Sequence, residues 1–282
     1  MTAPPVDMVL IGAGGRGTFS YGAYALAHPE EVRFVAVAEP DEERRARFAA
    51  QHRLPPERCF ADWRDLLARG QQAPALICSL PDRLHLDAAV AALRAGYHVL
   101  LEKPMAISPT DCVRLVRASE EAGRSLVICH VLRYTPFFST LHALVASGRL
   151  GEIVSIEHRE NVVYWHMAHS YVRGNWGSVD RSAPMILTKC CHDLDLISWM
   201  MGLNPVARLH SFGSLMHFQV DKAPAGAPER CLDGCPAAEC CPFYAPRIYL
   251  TDHLGWPTSA ISTDLSYEAR KRALSPAKHF PP

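Results

Sequence analysis

Hydrophobic and polar positions divide the first half of the chain into two kinds of segment. Short apolar runs, such as VLI at 9–11, FVAVA at 34–38 and ALIC at 75–78, alternate with longer segments that mix charged and apolar residues. The short runs are typical of strands that are buried on both faces, and the mixed segments are typical of amphipathic helices. Strands and helices in alternation predict a doubly wound parallel sheet.

Further predicted elements of the first half follow at short intervals. They are strands at 75–81, 98–104 and 125–131 and helices at 41–52, 82–96 and 108–123, the last capped at Ser108 or Thr110. Ligands of such sheets bind at the carboxyl ends of the strands, so the residues that follow each strand are the first candidates for a site.

The pattern changes in the second half of the chain. Residues 151–165, GEIVSIEHRENVVYW, alternate like a strand with one polar face, and residues 205–218 are the last stretch that resembles a strand. These elements predict two domains, 1–130 with the parallel sheet and 131–282 with a second α/β fold.

Composition and charge exclude several classes of protein. The chain of 282 residues has equal numbers of basic and acidic residues, so its charge does not favour nucleic acid or an anionic membrane as a partner. No apolar run is long enough to span a bilayer, and the N-terminus lacks the pattern of a signal peptide. We therefore expect a cytoplasmic protein with a small-molecule substrate, whose ten cysteines are mostly reduced.

The first predicted strand runs directly into a glycine-rich turn. Gly12, Gly14 and Gly17 in GAGGRG match the G-x-G-x-x-G pattern of dinucleotide-binding folds. Gly12 permits the tight turn, Gly14 lets the backbone approach a pyrophosphate, and Gly17 lets helix and strand pack closely. A helix that begins here offers free N–H groups to the phosphates.

The second predicted strand ends on Glu39, a residue that bears on the choice of dinucleotide. An acid at this strand end suits the 2′-hydroxyl of an NAD ribose and repels the 2′-phosphate of NADP. Arg44 and Arg45 follow in the next helix and keep NADP open as the cofactor, although both also fit a solvated helix face.

Polar clusters follow three later strands, at 79–85, 102–104 and 130–134. Lys103 in LLEKPMA is the most informative of these residues, with Pro104 fixing the backbone behind it. Its ammonium group could donate to a substrate hydroxyl and stabilise the alkoxide that forms during oxidation. A surface lysine in a turn is the alternative interpretation.

Five separated motifs follow one another along the chain: GAGGRG at 12–17, Glu39-Pro40, LPDRLH at 80–85, AGYHVLLEKPMA at 95–106 and HDLDLISWMMG at 192–202. In this order they resemble the motifs of the Gfo/Idh/MocA oxidoreductases, which include glucose–fructose oxidoreductase and the inositol dehydrogenases. The resemblance implies a Rossmann domain followed by an α/β domain with a mostly antiparallel open sheet. It also implies NAD(P) as cofactor and a sugar, cyclitol or related polyol as substrate.

The resemblance also implies the roles of individual residues. The lysine of the family's E-K-P motif lies beside nicotinamide and substrate, and here it is Lys103. The histidine of the H-x-x-D motif acts on the reacting hydroxyl, and here it is His192, with Asp195 completing the motif. The predicted cofactor-binding residues are Gly12, Gly14, Gly15, Arg16, Gly17, Glu39, Ser79, Pro81, His85, Glu102 and Lys103.

The helix that carries His192 is expected to begin near Cys190, with Leu194, Ile197 and Met201 as its core stripe. Lys189, His192 and Asp195 are spaced by three, so they can share another face near the start of the helix. An imidazole on that face could accept the proton of a carbinol while its hydride leaves to nicotinamide.

An irregular segment at 166–182, rich in His, Tyr, Arg, Asn and Trp, could supply hydroxyl partners and an aromatic platform for a sugar. The predicted substrate-binding residues are Tyr134, Tyr164, His166, Arg173, Trp176, Lys189 and Asp195.

Two departures from the family pattern leave alternatives open. Many members carry an acid four residues before the histidine, where this chain has Thr188, so another group must orient His192. The family also includes a branch that hydrolyses glycosides by transient NAD oxidation, so an NAD-assisted glycosidase or epimerase without net redox is an alternative function.

The end of the chain raises a further alternative. Members of the family usually continue with several more strands, so the chain is either a compact natural variant or a truncated relative that does no chemistry. If the second sheet is complete, we expect a homo-oligomer that forms through it.

A metal site is a competing interpretation of the sequence around His192. His192 and Asp195 could both reach one ion, and Cys190 or Cys191 could add a thiolate. Against this, adjacent cysteines rarely aim at one ion, and Lys189 would place a positive charge beside it.

The stronger metal candidate is a Cys-rich loop at 229–245. Its thiols are Cys231, Cys235, Cys240 and Cys241, in a spacing unlike that of a standard zinc knuckle. The loop could hold zinc or an iron–sulfur cluster, or it could contain only buried or reactive thiols.

Overall fold

The computed structural model describes residues 4–178, 182–202 and 204–275. The chain divides into two compact units, Met1–His130 and Val131–Pro282. Residues 179–181 of the predicted irregular segment, and the chain end from 276 onward, lie outside the described residues.

The first unit is built on a six-stranded parallel sheet with the order β3-β2-β1-β4-β5-β6. The strands are β1 Val6–Ile11, β2 Val32–Ala38, β3 Cys59–Phe60, β4 Ala75–Cys78, β5 His98–Leu101 and β6 Leu126–Ile128. The order reverses between β1 and β4, which is where doubly wound sheets bind their ligands. The predicted parallel sheet is therefore confirmed, and only the two-residue β3 was not predicted.

Helices connect these strands. A π-helical segment, Gly17–Gly22, leads into α1 Ala23–Ala27, and α2 Glu42–His52, α3 Trp63–Ala68, α4 His85–Arg94 and α5 Pro109–Ala122 follow. The hydroxyl of Ser108 accepts a hydrogen bond from the N–H of Asp111, so Ser108 is the cap of α5.

Strand β1 is buried on both faces. Val9 and Ile11 pack into the hydrophobic cluster on one side of the sheet, and Leu10 packs into the cluster on the other side. All three side chains are fully buried, and burial of each contributes about 1.5–3 kcal/mol to folding. This double burial explains why the apolar runs of the first unit show no polar alternation.

The second unit is mainly helical over its described residues. Its helices are α6 Pro136–Ala146, α7 Tyr164–Met167, α8 Met185–Thr188, α9 Cys191–Met200, α10 Ala245–Tyr249 and α11 Tyr267–Ala273, and a π-helical segment at Ala168–Arg173 extends α7. Helix α9 begins next to Cys190, as predicted. None of the helices in the described ranges is long and apolar enough to cross a membrane.

The antiparallel sheet predicted for the second domain is not found among the described residues. Residues 151–163 and 204–216 contain neither strand nor helix, and apolar side chains there face solvent: Val154 is 94% exposed and Phe212 is 95% exposed. A strand needs a neighbour that accepts and donates its backbone hydrogen bonds, and alternation of side chains alone does not provide one. The homo-oligomer expected through that sheet stays a prediction.

The buried face of α9 also differs from the prediction. Leu194 is 53% exposed and Met201 is 37% exposed, whereas Leu196 is 2% exposed. Trp199 stacks on His142 of α6, with ring centroids 3.9 Å apart. The helix therefore buries a different face from the one that its hydrophobic stripe predicted. Polar and aromatic contacts, which such a stripe does not reveal, are made on the buried face.

Candidate functional site

The glycine-rich turn after β1 packs against the loop after β4. The hydroxyl of Ser79 donates a 2.7 Å hydrogen bond to the carbonyl oxygen of Gly12. Gly12 has φ +91°, and a Cβ added there would lie 2.7 Å from the carbonyl oxygen of Ser79. A Cβ on Gly17 would lie 2.1 Å from the carbonyl oxygen of Gly12. These two glycines are therefore required by the packing of the turn itself.

Gly14 and Gly15 are different, because a Cβ added at either position would meet no atom within 4 Å. The backbone is open on this side of the turn. A dinucleotide pyrophosphate needs such an open backbone, since it must approach the N–H groups at the start of the following helix. The turn therefore fits the predicted cofactor.

Glu39 is buried at the end of β2, where its carboxylate contacts the glycine-rich turn. One oxygen accepts a 2.7 Å hydrogen bond from the N–H of Ala13, and the other accepts a 3.1 Å bond from the N–H of Asp41. Arg45 donates to the carbonyl oxygen of Glu39 at 2.6 Å. A carboxylate can accept about four hydrogen bonds, so Glu39 retains capacity for a ribose hydroxyl.

A second buried acid, Glu102, lies at the end of β5 and precedes Lys103. Its Oε1 accepts a 2.7 Å hydrogen bond from the Tyr21 hydroxyl and lies 3.2 Å from the Nε of Arg16. Its Oε2 accepts a 3.1 Å bond from the N–H of Lys103. The network therefore joins the helical segment after the glycine-rich turn to the loop that carries Lys103.

The Tyr21 hydroxyl also lies 2.9 Å from the Sγ of Cys129. Burial, together with the charge of Glu102, raises the pKa of Tyr21. Burial raises the pKa of Cys129 to about 11. Both groups are therefore protonated at neutral pH, so each can donate one hydrogen bond within the network.

His85 is fully buried beneath two loops of the first unit. Its Nδ1 lies 2.8 Å from the carbonyl oxygen of Pro104, and its Nε2 lies 2.8 Å from the carbonyl oxygen of Leu80. The imidazole therefore joins the loop after β4 to the loop that carries Lys103. Pro81, also predicted to bind the cofactor, is exposed and precedes the short turn Asp82–Leu84.

In the second unit, Asp195 forms a bidentate pair with Arg133. The two hydrogen bonds measure 2.6 and 2.7 Å, and they join α9 to the turn Val131–Tyr134. Hydrogen bonding to Asp195 raises the pKa of Arg133. The residue predicted to complete the H-x-x-D motif is thus an anchor of its helix in this structure.

Asp193 and Lys189, which flank His192 in the sequence, also contact polar side chains. Asp193 is buried, and its Oδ1 lies 2.6 Å from the Nε2 of His158. The ammonium group of Lys189 lies 2.6 Å from a carboxylate oxygen of Glu160. Both partners come from residues 158–160, for which the sequence predicted only a strand.

The end of the predicted strand and the first part of the predicted irregular segment are helical, from Tyr164 to Arg173. His166 and His169 contact the ring of Trp256, with centroids 4.8 and 5.2 Å away. Trp256, which the sequence did not single out, is 46% exposed. Trp256 is far along the chain from the two histidines, so no local pattern could have revealed the contact.

The other predicted substrate residues differ in their accessibility. Tyr134 is 79% exposed and Tyr164 is 53% exposed, so both rings are available to a ligand. The guanidinium group of Arg173 donates to the carbonyl oxygen of Phe243. Trp176 is half-buried, and its ring centroid lies 6.2 Å from that of Tyr171.

The Cys-rich loop does not gather its thiols around a common point. Among the described residues, one group of three or more His, Cys, Asp or Glu side chains lies close enough together for a metal ion. That group is exposed and contains no cysteine. Cys231 accepts a hydrogen bond from the N–H of Ala245, and Cys240 donates to the carbonyl oxygen of Ala237. The prediction of zinc at Cys231, Cys235, Cys240 and Cys241 is therefore not supported, because the described residues show no cluster of these thiols with the spacing of metal ligands.

Comparison with known proteins agrees with this geometry. Residues 6–130 match the family model described as "Oxidoreductase family, NAD-binding Rossmann fold", of the Gfo/Idh/MocA group. Residues 142–223 match the model of the same family's C-terminal alpha/beta domain. The chain belongs to the Gfo/Idh/MocA oxidoreductase family. The resemblance seen in the sequence is therefore confirmed, and the first unit is an NAD(P)-binding Rossmann domain.

Relatives within the family have several activities. An inositol 2-dehydrogenase of Pseudomonas fluorescens is 31% identical over 60% of this chain and 47% of its own length. The 2,7-anhydro-N-acetylneuraminate hydratase of Escherichia coli is 28% identical over 54% of this chain and 40% of its own length.

A solved structure of the family is also similar. The WlbA dehydrogenase of Bordetella pertussis, in complex with NADH and UDP-GlcNAcA, is 26% identical with a TM-score of 0.57. The match covers 71% of this chain and 58% of the WlbA chain. The chain thus spans less than half the length of the two curated relatives and little more than half of this structure.

Proposed function

We propose that the chain acts as an NAD-dependent dehydrogenase that oxidises a CH–OH group of a sugar, cyclitol or related polyol. The observation that carries this proposal is the turn at Gly14 and Gly15, whose open backbone lies next to the buried carboxylate of Glu39. An inositol 2-dehydrogenase and an NADH-bound dehydrogenase among the similar proteins support the reaction class.

The choice of NAD over NADP rests on Glu39. Its carboxylate can accept the 2′-hydroxyl of an adenine ribose, whereas a 2′-phosphate would meet a buried negative charge that is hydrogen-bonded to two backbone N–H groups. Arg45 offers a cation nearby, but its guanidinium already donates to the carbonyl oxygen of Glu39. The backbone at Gly14 and Gly15 would hold the pyrophosphate.

Two side chains would act on the reacting hydroxyl group, one as a hydrogen-bond donor and one as a proton acceptor. NAD supplies the acceptor for the hydride that leaves the carbinol carbon. Lys103 would donate a hydrogen bond to the oxygen and stabilise its developing negative charge. His192 would accept the hydroxyl proton. Because the backbone N–H of Lys103 is bonded to Glu102, the loop that presents this lysine has a fixed support.

The substrate would be held by polar and aromatic side chains of the second unit. Tyr134, Tyr164, His166 and Trp176 are the candidates, because sugars and cyclitols bind through hydroxyl partners and ring stacking. Lys189, Asp195 and Arg173 are also candidates, but each already contacts another part of the unit.

A second candidate function has no net redox change. It is an NAD-assisted epimerase, glycosidase or hydratase, in which the oxidised substrate is reduced again before release. The similarity to 2,7-anhydro-N-acetylneuraminate hydratase favours this candidate.

A panel of sugars and cyclitols, incubated with the protein and NAD, tests both candidates. A dehydrogenase forms NADH and the corresponding ketone in equal amounts with at least one member of the panel. The second candidate converts substrate without accumulation of NADH. If no substrate is converted and the chain does not bind NAD, both proposals are wrong.

A further inference from the structure

The start of α9 lacks the usual means of fixing a helix end. Its cap residue is Cys190, whose own side chain makes no capping hydrogen bond. His192 lies in that first turn. A proton acceptor must be held to within a fraction of an ångström, so something else must fix this turn if His192 acts as proposed.

Two side chains of one short segment, His158 and Glu160, contact residues at this turn. His158 pairs with Asp193, and Glu160 pairs with Lys189, each at 2.6 Å. Lys189 lies between α8 and α9, and Asp193 lies in the first turn of α9. His158 and Glu160 are two residues apart in the segment that precedes α7. The two pairs therefore join one short segment to the start of α9 at two points.

The pair of His158 with Asp193 is the more buried of the two. The side chains of His158 and Asp193 are 26% and 12% exposed, whereas those of Lys189 and Glu160 are 26% and 36% exposed. Burial and the charge of Asp193 raise the pKa of the neighbouring Cys190 thiol, which is therefore protonated near neutral pH. Of the four side chains in the two pairs, that of Asp193 is the least exposed.

We propose that His158 is a positioning residue, which holds Asp193 and thereby fixes the first turn of α9 and the imidazole of His192. This inference rests on the proposed role of His192 as proton acceptor. The hydrogen bond from the Nε2 of His158, rather than proton transfer by His158, is the property that matters. A glutamine at position 158 has an amide that can make the same bond, whereas an alanine has none.

The test compares His158→Gln, His158→Ala and the control Arg159→Gln. Arg159 is the next residue, and its pair with Glu157 is largely exposed. Imidazole NMR signals of His192, assigned by their loss in His192→Asn, report its position without any turnover. We expect His158→Ala to shift or broaden these signals, and His158→Gln and Arg159→Gln to leave them close to those of the wild type.

Turnover provides the second readout. If the wild type oxidises a polyol, we expect His158→Ala to lower kcat about 10²-fold with little change in KM, and His158→Gln to recover most of the loss. Unchanged His192 signals in His158→Ala, or equal losses in the Ala and Gln variants, would overturn the inference. If the wild type has no activity, the proposed function fails, and the NMR comparison still decides whether His158 positions His192. Should His158→Ala not fold, Asp193→Ala, which removes the acceptor of the same bond, takes its place in both readouts.

Discussion

The carboxylate of Glu39 accepts a 2.7 Å hydrogen bond from the backbone N–H of Ala13, inside the glycine-rich turn. The acid that is expected to select the ribose is therefore part of the support for the turn that is expected to hold the pyrophosphate. Substitution of Glu39 should affect both the choice of cofactor and the affinity for it.

We predict that Glu39→Ala lowers the affinity for NAD about tenfold or more, because it removes a ribose acceptor and a support of the turn. The affinity for NADP should fall less or rise, since the charge that opposes a 2′-phosphate is gone. Titrations with each dinucleotide measure the ratio of the affinity for NAD to the affinity for NADP. Glu42→Gln, in the exposed first turn of α2, is the matched control and should leave the ratio unchanged. An unaltered ratio in Glu39→Ala would show that Glu39 does not select the cofactor.

The Tyr21 hydroxyl supports Glu102, so Tyr21→Phe should destabilise the first unit. Hydrogen bonds to charged groups contribute about 1.5–3 kcal/mol to stability. We expect the free energy of unfolding, measured in urea, to fall by an amount in that range. Tyr24→Phe is the control, because the Tyr24 hydroxyl bonds to Glu31 at the surface and its loss should have no measurable effect. Equal stabilities of the two variants would contradict a structural role for the network.

The bidentate pair between Arg133 and Asp195 should be measurable by a double-mutant cycle. The quantity compared is the free energy of unfolding of the wild type, of Arg133→Gln, of Asp195→Asn and of the double variant. We expect a coupling free energy of about 1–2 kcal/mol, because the pair is partly buried and its two hydrogen bonds are short. The same cycle on Arg159 and Glu157, an exposed pair, should give a coupling near zero. Strictly additive effects at Arg133 and Asp195 would show that the pair does not anchor α9.

His169 should make the second unit less stable in mild acid. Burial, with the nearby His166 and Arg173, lowers its pKa from 6.5 to about 4. Between these values the unfolded chain binds a proton that the folded chain does not bind, so stability falls as the pH falls from about 6.5 to about 4. We expect the free energy of unfolding to fall by about 2 kcal/mol between pH 7.5 and pH 5.

Urea unfolding at the two pH values checks this expectation. His169→Asn should lose most of the pH dependence that the wild type shows in this window, while His210→Asn, at an exposed position, should keep it. A wild type whose stability does not change from pH 7.5 to pH 5 would contradict a buried, uncharged His169.

The sequence predicted the first unit well because its strands are buried on both faces and its turns depend on glycine. Val9, Leu10 and Ile11 form an apolar run for that reason, and Gly12 and Gly17 are required by close backbone contacts. The second unit was predicted less well. The alternation at 151–163 suggested a strand, but Val154 is exposed and the segment has no paired neighbour among the described residues.

Long-range contacts of the candidate site were not predictable either. His158 and Asp193 are separated by 35 positions along the chain, and no periodicity links them. The contact of Trp256 with His166 is similar, because both rings belong to segments without a recognisable motif. The residue types suggested chemistry near His192, but the contacts of its neighbours Asp193 and Lys189 became visible only in three dimensions.

The central claim, that the first unit binds NAD through its glycine-rich turn, is tested most directly by a calorimetric titration of the wild type and Gly14→Val with NAD. A side chain at position 14 meets no protein atom within 4 Å of its Cβ, so the variant should fold normally. We predict that the wild type binds NAD with a micromolar dissociation constant, on the order of typical KM values, and that Gly14→Val, shown by circular dichroism to be folded, binds at least 100-fold more weakly. Equal binding by the two proteins, or no binding by the wild type, would contradict the claim.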